Sequence, residues 1–158
     1  MRYKSLRAPH RFGVAAVEMA FVLPVLLTLL FGVWEVGRLA ELQQILSNAA
    51  REGGRQASLS TVTNAQVQTD VINYLKNAGV PTQNAAVTVT NVTEPGVDAT
   101  NAAQMDQLVV SVNVPLQDFS WVLIGYIIPS GSTLTGTATW YSMENTSYPA
   151  PSDPPINY

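Results

Sequence analysis

The chain contains no cysteine. Disulfide staples, thiolate metal ligands and cysteine nucleophiles are excluded, and cysteine usage says nothing about the compartment. Histidine is nearly absent as well, with His10 the only one. Charged residues make up 12% of the chain, and they are unevenly laid out. Arg2, Lys4, Arg7 and Arg11 crowd the first thirteen positions, where there is no acid. Beyond Arg55 the only base is Lys76, against Asp70, Glu94, Asp98, Asp106, Asp118, Glu144 and Asp153. The net charge of −3 therefore averages a basic start and an acidic remainder. No basic patch is available for phosphate backbones, so nucleic acid is not an expected partner. No glycine-rich phosphate loop follows a strand pattern, and Asp98, Asp106 and Asp118 lack the spacing of a calcium loop. Glu94 and Glu144 are a carboxylate pair in principle, but nothing in the sequence brings them together. The expectation is a protein that is not an enzyme and uses no cofactor, metal or small-molecule substrate.

What the chain does have is one long apolar run, Val14 to Val33, broken only by Glu18, Pro24, Thr28 and Gly32. Twenty helical residues rise roughly 30 Å, the thickness of a bilayer's hydrocarbon core. Trp34 follows at the position where an aromatic ring favours the membrane interface, and the basic leader before the run predicts a cytoplasmic N-terminus. Past Trp34 the apolar residues recur at Val36, Leu39, Leu42, Ile45 or Leu46, and Ala49 or Ala50, which is one helical stripe. Gly53-Gly54 is the first strong stop signal, with Gln56 to Ser58 as a frayed turn. A helix from Val14 to Ala57 would be about 65 Å long.

Glu18 is the informative residue. An ionisable group in a membrane segment costs roughly 2–3 kcal/mol or more and is a functional-site hypothesis by default. A secretory signal peptide is a poor explanation, because the run is long and Trp34-Glu35-Val36-Gly37-Arg38 is a poor cleavage context. A static single-pass anchor, with Glu18 snorkelling to the interface, is physically reasonable. A third reading is a cut after Gly13, which leaves Glu18 as the fifth residue of a chain beginning with the free amine of Val14.

The segment Gly13-Val14-Ala15-Ala16-Val17-Glu18-Met19-Ala20-Phe21-Val22-Leu23-Pro24 resembles the N-terminus of TadE-like pseudopilins, minor components of tight-adherence (Tad, or Flp) type IV pili. Ala49-Ala50-Arg51-Glu52-Gly53-Gly54-Arg55 resembles the end of that family's post-membrane helix. The resemblance implies processing between Gly13 and Val14 by a prepilin peptidase. It also implies a role for Glu18 in recognition and in attracting a neighbour's new amine. The implied partners are that peptidase, other minor pilins, the major pilin and the inner-membrane assembly platform. The implied location is the inner membrane, with a periplasmic head that can enter the pilus. Ala15, Ala16, Ala20, Pro24 and Gly32 are the candidate helix-packing positions. The first mature residue would be Val14 where related pilins commonly have Phe, which leaves N-methylation open.

Beyond the long helix, Thr61 to Gly79 reads as a second helix with Thr63 as N-cap and Val67, Val71, Ile72, Tyr74 and Leu75 on one face. Three alternating runs follow, around Val87–Val89, Leu108–Val114 and Leu134–Trp140, each with an apolar and a polar, mostly threonine, face. The expected fold class is α+β. A long N-terminal hydrophobic helix, half transmembrane and half amphipathic, feeds a small head with a second helix and a three-stranded antiparallel sheet. The expected organisation is a leader at 1–13, a membrane half at 14–34, an amphipathic extension at 35–58, the head at 59–147 and a Pro-rich disordered tail at 148–158. Within the head, Phe119 to Ile128 is too short to span a membrane. It reads as a plug under the sheet or, through Phe119, Trp121 and Tyr126, as a docking patch. Asp118 is a candidate cap for a short helix there. Asn91-Val92-Thr93 and Asn145-Thr146-Ser147 match the glycosylation sequon, as chance matches in a bacterial protein.

Overall fold

The structure, a computed structural model, describes residues 11–119, 129 and 131–143. The tail at 148–158, the second sequon, Glu144 and nearly all of Phe119–Ile128 lie outside the described residues, as does most of the leader. Phe119, the one described member of the proposed patch, is buried in the core. The elements are α1 (Arg11–Ser58), α2 (Asn64–Asn77), β1 (Ala86–Asn91), β2 (Gln107–Pro115) and β3 (Thr133–Tyr141). The chain divides into two compact units, Met1–Leu39 and Ala40–Tyr158.

In the first unit α1 is apolar on all sides from Val14 to Trp34 except at Glu18. From Gly13 it is long and apolar enough to cross a membrane. Pro24 sits inside it and removes one helical hydrogen bond, while Thr28 Oγ1 donates back to the Pro24 carbonyl at 2.8 Å. Such back-bonding satisfies the hydroxyl where no water is at hand.

In the second unit the rest of α1 buries the stripe Leu42, Leu46, Ala49 and Ala50. The helix runs through Gly53-Gly54 and ends at Ser58, the bound expected for its amphipathic extension. The reason is packing. A Cβ on Gly53 would lie 2.6 Å from Val71 Cγ2 and 3.2 Å from Val110 Cγ1, and one on Gly54 would collide with the Trp140 ring. From the sheet side, a Cβ on Gly136 would stand 2.5 Å from the carbonyl carbon and oxygen of Leu46. Three glycines thus let α1 lie unusually close on the sheet. Two of them accept a helix-propensity penalty of about 1 kcal/mol each to do so.

The α2 boundaries follow from local chemistry. Thr63 Oγ1 accepts the Gln66 N–H at 3.2 Å, and Val67, Val71 and Leu75 form the buried face. At the other end Gly79, at φ +77°, donates to the Lys76 carbonyl and Val80 donates to the Leu75 carbonyl. This is a Schellman closure, completed by burial of both Leu75 and Val80.

The sheet is antiparallel with order β1-β2-β3. Leu108 pairs with Asn91 and Trp140, and Val112 with Val87 and Gly136. On the central strand Leu108, Val110, Val112 and Val114 are fully buried while the residues between them are half-buried, the period-two signature of one covered face.

Candidate functional site: the N-terminal helix

Gly13, Val14, Ala15, Ala16, Glu18, Ala20, Pro24 and Gly32 all lie on α1. Gly13 through Ala20 are solvent-facing, and neither Gly13 nor Gly32 has an atom within 4 Å of a would-be Cβ. Among the described residues Glu18 has no hydrogen-bond or ion-pair partner. At about 100° per residue, Val14, Glu18 and Gly32 fall within about 40° of one another. Ala16, Ala20 and Pro24 form a separate stripe roughly on the opposite side, and Ala15 lies between the two. The candidate packing residues therefore do not make one surface. Gly32 shares its side with the carboxylate.

Gly13 and Val14, the expected cut, both lie on α1 and are helical rather than extended. Glycine weakens a helix by about 1 kcal/mol relative to alanine, so a protease that needs extended backbone would meet a weakened point there.

Several polar residues of the described head have structural work. Asp98 accepts the N–H of Asn64 at 3.1 Å, the first residue of α2, together with the N–H and hydroxyl of Thr100. Asn64 Oδ1 returns the contact by accepting the Ala99 N–H. Burial alone would raise the Asp98 carboxyl, but the Thr100 and Asn64 N–H groups and the Thr100 hydroxyl outweigh it and hold the carboxyl below its ordinary value. Asp106 is buried and accepts from Asn91 Nδ2 at 2.8 Å and from the Ala103 N–H at 2.9 Å. The amide of the first sequon is thus engaged inside the fold. Asp118 accepts from Asn84. It ends a single 3-10 turn, Leu116–Asp118, and a helix capped by it would lie outside the described residues. An open groove of about 600 Å³ runs beside α1 and α2, past Arg51, Arg55, Asp70, Tyr74 and Trp140. On its wall Glu52 and Arg55 pair at 2.6 Å, and the hydrogen bond from Arg55 holds the Glu52 carboxyl below its ordinary value. Among the described residues no group of three or more His, Asp or Glu side chains is placed to hold a metal.

The Gly136 and Gly53-Gly54 contacts and the Asp98–Asn64 exchange were not anticipated from sequence. Only the helix-unfriendly glycines, sitting inside an otherwise good helical pattern, offered a signal.

Fold and site together define a class: a protein that begins with one apolar helix able to span a membrane and continues into a small α+β head. The comparisons then narrow it. Residues 13–55 match the family model described as TadE-like protein, so the chain carries a TadE-like segment, consistent with the minor pilins of Tad pili. The match begins at Gly13, covers the membrane-length run and ends at Arg55, three residues before α1 does. No curated protein and no solved structure matches the chain.

Proposed function

We propose that this protein is a minor pilin-like subunit of a Tad-type pilus, made as a precursor and processed after Gly13 by a prepilin peptidase. One observation carries the reading. The TadE-like match starts at the residue that would precede the cut, and Glu18, the lone charged side chain between Val14 and Trp34, falls fifth in the chain that the cut would create.

Removal of the leader would take away a cluster of cations and leave one amine. In low dielectric, a neighbour's amine and an exposed carboxylate attract strongly, and the attraction offsets their desolvation only when they are well paired. Glu18 has no partner within the described chain, so it is open to one from outside. The subunit would stay in the inner membrane, head outward, until it joins other minor pilins, the major pilin and the assembly platform. Its part is structural rather than enzymatic, in pilus assembly and surface adherence.

The test is intact mass of the membrane form from cells with an active prepilin peptidase. The expected mass lacks residues 1–13. A full-length mass refutes the proposal and supports a static membrane anchor with an extracytoplasmic binding head. Glu18→Ala should insert normally and fail to enter pili, and normal piliation would refute the assigned role of the carboxylate.

A further inference from the structure

The groove beside α1 and α2 is lined by Asn48, Arg51 and Gln56 of α1, by Asn73 and Tyr74 of α2, and by Trp140 of β3. Several of these side chains hold polar capacity that the described residues do not use. Arg51 has no ion pair among them, and Trp140 Nε1–H has no acceptor. Gln56 donates its Nε2–H to Glu52 at 3.1 Å, which fixes the amide and leaves its Oε1 buried without a donor. Among the described residues it is the one buried side-chain atom in that state. Buried polar atoms are nearly always hydrogen-bonded, so this wall is short of a donor.

We propose that this groove is a seat for the chain's own proline-rich segment, the residues that follow Met143. Position selects that occupant first. The Met143 N–H donates to the Ser58 carbonyl at 2.8 Å, so the segment departs from the last residue of α1, next to the Gln56 end of the groove. From Ser58 back to Asn48 is about 15 Å along the helix. A polyproline II strand covers that in roughly five residues, and residues 144–158 exceed it. Chemistry agrees. Pro149, Pro151, Pro154 and Pro155 favour polyproline II, whose carbonyls have no internal donors. Sites that take such strands offer aromatic walls, and here Tyr74 and Trp140 supply the rings while Trp140 Nε1 and the Asn73 amide supply donors. The N–H groups between the prolines are the donors that Gln56 Oε1 lacks. Charge agrees too, because the segment holds Glu144 and Asp153 and no base, against the unpaired Arg51. Proline fixes the bound conformation in advance, and the tether supplies a high effective concentration. None of this depends on processing after Gly13.

The test uses the full chain in micelles, where the absence of native cysteine gives a silent background. Asn48→Cys combined with Ala150→Cys should form an intrachain disulfide under mild oxidation at least about tenfold faster than Thr137→Cys combined with Ala150→Cys. Thr137 is exposed on β3, six residues before Met143 and so about 20 Å from it. A segment that is only tethered would reach the two sites about equally. Adding Pro149→Ser and Pro151→Ser, or Arg51→Glu, to the Asn48 pair should slow its reaction at least about threefold with the circular dichroism unchanged. Equal rates at 48 and 137 overturn the proposal. So does a rate at 48 that neither the proline changes nor the arginine change lowers. A disulfide at 48 that forms only between chains overturns it as well, and gives the groove to a neighbour's segment instead.

Discussion

Gly136→Ala is a one-methyl test of how the head is built. The new Cβ would stand 2.5 Å from Leu46 C and O and 2.8 Å from Ser47 N. These are backbone atoms of a helix packed on the sheet, so no side chain can rotate away. Overpacking at such a site costs about 1–3 kcal/mol. Removing glycine from a strand interior returns about 0.5–1 kcal/mol. The balance is a loss of about 1–2 kcal/mol, and a head of this size shifts its melting temperature by roughly 4–8 °C per kcal/mol. Thermal unfolding of the full chain in micelles, followed by tryptophan fluorescence, should therefore show a fall on the order of 5–15 °C. Gly54→Ala should cost less, because the obstacle there is the Trp140 ring, a half-buried side chain able to shift. Gly37→Ala, with nothing within 4 Å, should not lower the melting temperature at all. A Gly136→Ala head that melts with the parent would refute the close approach of α1 to β3.

Other substitutions test the polar parts of the head. Asp98→Asn removes the negative charge that supports the capped start of α2 beside Thr63 and should cost about 0.3–1 kcal/mol at neutral pH by denaturant titration. Because the folded carboxyl titrates below its ordinary value, its contribution is complete above the unfolded pKa of about 3.9 and is lost as pH falls through the folded pKa. The parent should therefore lose its advantage over Asp98→Asn in acid, and a pH-independent difference would refute that support. Asp106→Ala leaves Asn91 Nδ2 and the Ala103 N–H without their buried acceptor. It should cost about 1–3 kcal/mol in the same assay. Gly79→Ala forces a side chain into φ +77° and should cost roughly 1 kcal/mol.

The elements were legible because each obeyed a local rule. Thr63 capped where a threonine precedes an apolar face, Gly79 ended α2, and alternation over Leu108–Val114 gave the central strand and its buried side. What was not legible shares a cause. Gly53-Gly54 looks like a stop from propensity alone, and its use as a contact surface depends on Val71, Val110 and Trp140, which are distant in sequence. Asp98 reads as a turn residue until Asn64, 34 positions earlier, is seen beside it. Glu18 and Gly13 stood out for the opposite reason: each breaks its local context, a charge in an apolar run and a glycine at its border. Their neighbours in space, if they are other subunits, leave no trace in the chain itself.

The first unit supplies the final step of the argument. Fifteen large apolar side chains from Val14 to Val36 stand between 42% and 77% exposed. Taking about 1 kcal/mol for covering the exposed half of each, the drive to leave water is on the order of 15 kcal/mol. That equals or exceeds the whole stability of an ordinary domain, so the run must be covered, and a bilayer matches its length. Against that drive the roughly 2–3 kcal/mol cost of Glu18 cannot prevent insertion. Equally, anchoring gains nothing from it, and Glu18→Ala should bind membranes at least as firmly as the parent. A static anchor has no use for the carboxylate, whereas a subunit that recruits a neighbour's amine does. If the substitution strengthens membrane retention and weakens assembly, the two effects have opposite signs, and only the second reading produces that pair.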